Sequence, residues 1–92
     1  MEIMKEQKDR YEIFLKVCET GSFSGAATAL NYTQSGISQM MAGLEEELGV
    51  QLFARIKRGV ILTDNGARLI PYIQEMVNQK DKLRTAAFNI NH

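Results

Sequence analysis

The 92-residue sequence predicts a mainly α-helical fold with a three-helix core, a small two-stranded hairpin and one long C-terminal helix. Three observations predict it. Apolar residues recur at three- and four-residue intervals in separate segments, the period of a helix face. A β-prone run, Val60-Ile61-Leu62, directly follows a basic turn and reads as one arm of a hairpin. Leu69, Ile73, Met76, Lys80, Leu83 and Ala87 keep a 4, 3, 4, 3, 4 spacing, a heptad-like stripe that needs one extended helix.

The first helix is expected from about Lys8 to Glu19, with Tyr11, Phe14, Leu15 and Cys18 on one face and Gly21 as its stop. Ser22-Phe23-Ser24 then offers an N-cap, and Ser24 is the expected one. Ala26, Ala27 and Leu30 form a short second helix whose small residues let a neighbour approach. Asn31-Tyr32 makes a tight turn. Thr33 caps the third helix, TQSGISQMMAGLEEELG, which Gly49 ends. Its buried stripe is expected to be Ile37, Met41, Leu44 and Leu48. Gly43 inside it costs about 1 kcal/mol relative to alanine, which points to close packing there.

In VQLFARIKRGVILT, Leu52 and Phe53 precede Arg55, Lys57 and Arg58, and Gly59 is expected to supply the turn of a basic-tipped hairpin. Thr63 is the N-cap of the last helix, expected from about Asp64 to Phe88, with Asp64 favourable in its first turn. Ile70 and Val77 widen its stripe. Pro71 predicts a bend, and residues 89–92 are expected to fray. Two segments follow from this reading, residues 1–63 as a compact unit and 64–92 as a helix that links or dimerises.

Composition narrows the function classes. Eleven Lys and Arg balance eleven Asp and Glu, so the chain is no general polyanion sponge, though a local basic patch remains open. One cysteine excludes an intrachain disulfide framework and a cysteine metal cluster. No apolar run approaches the roughly 20 residues that span a bilayer. The opening MEIMKEQKDR is too charged for a signal peptide's apolar region, so a cytoplasmic chain is expected, without a membrane partner. Cys18 faces the core and His92, the sole histidine, is terminal, so no catalytic centre, metal site or cofactor is expected.

Two short helices, a tight turn and a longer helix are the parts of a helix-turn-helix, and the basic hairpin after them makes the unit winged. In that arrangement the second helix of the motif enters the DNA major groove by its N-terminal end. That end carries Thr33, Gln34, Ser35, Ser38 and Gln39, and no carboxylate before Glu45. Glutamine can pair with an adenine edge in two places, and hydroxyls can reach phosphates or bases. Polar residues at a helix start are often merely solvated, and a basic loop often is too. Their order along the chain is what favours double-stranded DNA, with Arg55, Lys57 and Arg58 on the backbone or minor groove. The alternative is a protein–protein interaction module in which the long helix pairs with a partner.

At this point the sequence resembles the LysR-type bacterial transcriptional regulators. The matching residues are Phe14, SFSGAATAL (22–30), TQSGIS (33–38), LEEELG (44–49), LFARIKRGVILT (52–63) and Gly66, in continuous order from about Tyr11 to Met76. The resemblance implies a winged helix-turn-helix followed by a linker helix that makes a homodimer, on DNA with inverted-repeat character. Gln34 and Ser35 match the start of the family's recognition helix, with Gln34 the first choice for base contact; the resemblance further implies phosphate contact by Ser38, backbone contact by Arg55 and minor-groove approach by Arg58. Thr63 matches as a structural cap. Leu69, Ile73, Met76, Val77, Lys80, Leu83 and Ala87 are the expected dimer seam. Family members carry a larger C-terminal domain that binds a small-molecule effector; this chain stops before one, and a fragment is expected. Gly36 stands where alanine is common, and Gln39, Ala42 and Gly43 where basic residues are frequent. The recognition helix therefore has no Lys or Arg, which predicts a modest salt dependence and weak binding by a monomer.

Overall fold

The structure, a computed structural model, describes residues 9–92. Residues 1–8, including the start expected for the first helix at Lys8, lie outside the described residues. The elements run α1 (Arg10–Thr20), α2 (Phe23–Leu30), α3 (Gln34–Leu48), β1 (Phe53–Ile56), β2 (Gly59–Leu62) and α4 (Asp64–Asn91). The mainly helical, winged architecture is the one the periodicities predicted.

Caps set most of the boundaries. Asp9 opens α1 with a capping box: its carboxylate accepts the Tyr11 and Glu12 N–H groups, and Glu12 accepts the Asp9 N–H. Ser22, not Ser24, caps α2; its Oγ accepts the Gly25 N–H at 2.8 Å. The correction has a packing cause. Phe23 is buried in the core, which needs it on the helix, so the extended cap falls on Ser22, two residues before Ser24. Thr33 caps α3, Gly49 ends it in the left-handed region, and Thr63 caps α4.

Helix α1 packs on α2, α3 and α4 around one core. Its fully buried residues are Ile13, Phe14 and Val17, while Tyr11, Leu15 and Cys18 sit at the core's rim. The expected face was thus rotated: α1 is enclosed from several sides, and its apolar arc is wider than one stripe. Burial at that rim pushes the Cys18 thiol up to about 11, which leaves it a packing group rather than a reactive thiolate. In α3, Ile37, Met41 and Leu44 are buried as expected, but Leu48 is 36% exposed because the helix runs on past the core.

Gly43 is approached by a single side chain. A Cβ there would meet the Arg10 guanidinium at 3.0 Å, the mobile end of a long side chain. Gly43→Ala is therefore expected to stabilise the fold by up to about 1 kcal/mol, the helix-propensity gain. Urea denaturation checks this, and a lower midpoint would mean that Arg10 cannot move aside.

The strands pair antiparallel, Phe53 with Leu62 through Ile56 with Gly59. The turn is therefore Lys57-Arg58, and Gly59 begins β2 rather than forming the turn itself. Its φ of +143° suits glycine, and a Cβ there would lie 2.6 Å from the Gly21 carbonyl oxygen. That same carbonyl accepts the Val60 N–H at 3.3 Å, so the hairpin docks on the α1–α2 loop. Gly66 lies against the Leu52 carbonyl, which also accepts the Thr63 N–H, so α4 begins tight on the base of the hairpin.

Helix α4 has two halves. Ile73 is in the core, with Leu69, Ile70 and Val77 packed against it. From Asp81 onward every residue is exposed. Pro71 is exposed within the helix. The fraying expected from Asn89 is not seen: α4 reaches Asn91, and the His92 ring stacks on Phe88 at 4.0 Å, its Nδ1 2.9 Å from the Phe88 carbonyl.

Candidate nucleic-acid interface

The start of α3 projects from the body. Gln34, Ser35 and Gln39 are exposed there, and Ser38 is half-buried one turn along. The Thr33 hydroxyl is committed to its cap, accepting the Gly36 N–H at 3.0 Å. Its proton remains available to an acceptor outside the chain.

The hairpin brings its cations to the same side. Arg55 donates to the Ser38 Oγ at 3.2 Å and lies 5.2 Å above the centre of the Phe23 ring. Phe23 in turn meets Phe53 edge-on at 5.7 Å, and Phe53 lies 5.4 Å from Phe14. The Arg55 guanidinium is thus braced on an aromatic column that reaches into the core, a geometry that favours a planar cation. Lys57 and Arg58 are exposed at the turn.

Between these parts lies an open cleft of about 310 Å³, lined by Ser22, Phe23 and Ser24 from the α2 start, by Gln34, and by residues 55–60 of the hairpin. None of its lining residues is a carboxylate. Two of the three α3 acids, Glu45 and Glu47, are engaged in contacts of their own. Glu45 accepts the Leu52 and Phe53 N–H groups at 2.7 and 3.1 Å, and Glu47 pairs with Arg10 and accepts the Tyr11 hydroxyl. An open, positively framed cleft beside a helix start suits a polyanion.

The structure therefore gathers Gln34 and the Arg55, Lys57 and Arg58 cations around one cleft, and joins Ser38 to it through Arg55. Sequence reasoning did not assign Ser22 and Ser24 to this surface; they were read only as cap candidates. The available signal was a second hydroxyl-rich helix start, at the point where the hairpin docks. The seam residues are distributed differently. Ile73 lies in the chain's own core, Leu69 and Val77 rest against it, and Met76, Leu83 and Ala87 are exposed. Among the described residues, no helix is long and apolar enough to cross a membrane, and no group of three or more His, Cys, Asp or Glu is placed to hold a metal ion.

The α2–turn–α3 unit, with a hairpin tip beside the start of its second helix, defines a winged helix-turn-helix. The family described as bacterial regulatory helix-turn-helix protein, lysR family, matches residues 9–67, and the chain belongs to it. The chain is 49% identical over 74 residues to a probable hydrogen peroxide-inducible genes activator of Mycobacterium avium, covering 80% of this chain and 24% of that protein. In structure it is similar to the BenM DBD in its benA site 1 DNA complex, at 32% identity and a TM-score of 0.80, covering 88% of this chain and 91% of that one. It is also similar to oxidized Corynebacterium glutamicum OxyR, at 32% identity and a TM-score of 0.79, covering 90% of this chain and 28% of that one. The chain spans about a quarter of the length of most of the curated relatives it is compared with, and about half of one.

Proposed function

We propose that this chain binds double-stranded DNA sequence-specifically, as the DNA-binding part of a LysR-type bacterial transcriptional regulator acting in the cytoplasm. The start of α3 enters the major groove, where Gln34, Ser35 and Gln39 face base edges and Thr33 and Ser38 face the backbone. Arg55 grips a phosphate, and Lys57 and Arg58 reach the backbone and minor groove. The observation that carries this reading is the carboxylate-free cleft shared by Gln34 and the hairpin cations.

On this reading residues 1–63 form the reading unit, and residues 64–92 form the helix that pairs two copies. Met76, Leu83, Phe88 and Ile90 support the pairing, since they leave 44, 68, 58 and 84% of their surfaces exposed along α4. Any small-molecule effector acts through a C-terminal domain outside this chain. The alternative interaction module is not favoured, because the family is one of DNA-binding regulators.

Selection of bound duplexes from a randomised pool tests the assignment. Gln34→Ala is expected to erase preference at one base pair per half-site, a loss of about 1–3 kcal/mol of discrimination. An unchanged preference would remove Gln34 from the bases. The slope of log affinity against log salt is expected to be shallow, since α3 contributes no cation.

A further inference from the structure

We propose that Lys80 is a positioning residue that fixes the direction in which α4 leaves the body, and thereby sets the spacing between the two DNA half-sites a dimer reads. The inference rests on the dimeric DNA-binding reading above.

Lys80 falls on the seam stripe, yet its charge is used within its own chain. Its Nζ donates to Asp9 Oδ2 at 2.7 Å and lies 3.1 Å from Glu12 Oε1. These two carboxylates are the capping box of α1, each already fixed by backbone N–H groups. The ammonium therefore ties the middle of α4 to the capped first turn of α1, 71 residues away in sequence. Burial pushes the Asp9 carboxyl up, but the Lys80 bond and the Glu12 and Tyr11 N–H groups together hold it below its ordinary value. The Asp9 bond correspondingly raises Lys80, against a smaller opposing effect of burial.

Position makes the contact consequential. Lys80 is the last α4 residue not fully exposed, three residues beyond Val77, the last apolar group resting on the core. From Val77 the helix runs on for about 21 Å, at a rise of about 1.5 Å per residue. A pivot of about 10° there moves the tip by about 3.6 Å. That is close to one base-pair step of about 3.4 Å. An exposed ion pair adds little stability; here two carboxylates hold one ammonium, and what they restrict is an angle.

The test is selection from duplexes carrying paired half-sites at varied spacing, for the wild-type chain, Lys80→Met and Lys80→Arg. Wild type is expected to select one spacing. Lys80→Met is expected to spread over at least one neighbouring spacing with the same bases in each half-site, its melting temperature shifting by no more than about 5 °C. Lys80→Arg, which keeps the charge and reach, is expected to restore the single spacing. A wild-type spacing distribution in Lys80→Met overturns this inference alone. Wild-type selection of half-sites with no preferred spacing overturns the paired reading, and this inference with it.

Discussion

Replacing Arg55 and Arg58 together by glutamate is expected to lower duplex affinity by at least about a hundredfold near 0.1 M salt, uniformly across DNA sequences. Each neutralised phosphate adds about 0.9 to the slope of log affinity against log salt, so two lost contacts remove about 1.8 decades between 1 M and 0.1 M. Charge reversal adds repulsion from the same phosphates. The salt slope is expected to fall by about 2 as well. Fluorescence anisotropy at several salt concentrations reads both quantities. Arg55 also leans on Phe23 and Ser38, so its replacement disturbs local packing. Arg58→Glu alone, at the exposed turn, separates the two causes and is expected to lower the slope by about 1. If neither variant changes the slope, the hairpin does not face DNA.

Phe14→Ala is expected to cost about 3–5 kcal/mol. Phe14 is fully buried, and its ring begins the Phe14–Phe53–Phe23 column that ends beneath Arg55. A domain of this size holds only about 5–14 kcal/mol in total, so the loss takes a large share of it. The melting temperature is expected to fall by about 15 °C or more. Leu83→Ala, at a position 68% exposed, is expected to change monomer stability by less than about 0.5 kcal/mol. Thermal melts followed by circular dichroism compare the two, and a Phe14→Ala cost below about 1 kcal/mol would place the core elsewhere.

How far the sequence was legible depended on range. The limits of α3 followed from Thr33 and Gly49, because a cap acts on the residues next to it. Two serines either side of Phe23 satisfied the same local rule, and only the burial of Phe23 chose Ser22. The apolar arc of α1 runs through Tyr11, Ile13, Phe14, Leu15, Val17 and Cys18, so periodicity could not locate its centre. The exposure of Gln34 and Gln39 was legible because Ile37 is the one large apolar residue between them and fixes which side of the turn faces inward. The bond from Arg55 to Ser38, the Arg55–Phe23 stack and the capture of Lys80 by Asp9 were not, since each joins residues remote in sequence. Glu45 shows the same limit: its carboxylate pins the backbone entering β1, seven and eight residues further along the chain.

Main-chain atoms of Gly21, Gly59 and Val60 moor the hairpin to the α1–α2 loop. The residues at its outermost point, Lys57 and Arg58, contribute nothing to that anchorage. Their identities are thus free to change while the chassis stays put, so on the DNA-binding reading the strength of the grip on a duplex can be retuned at two positions without refitting the core.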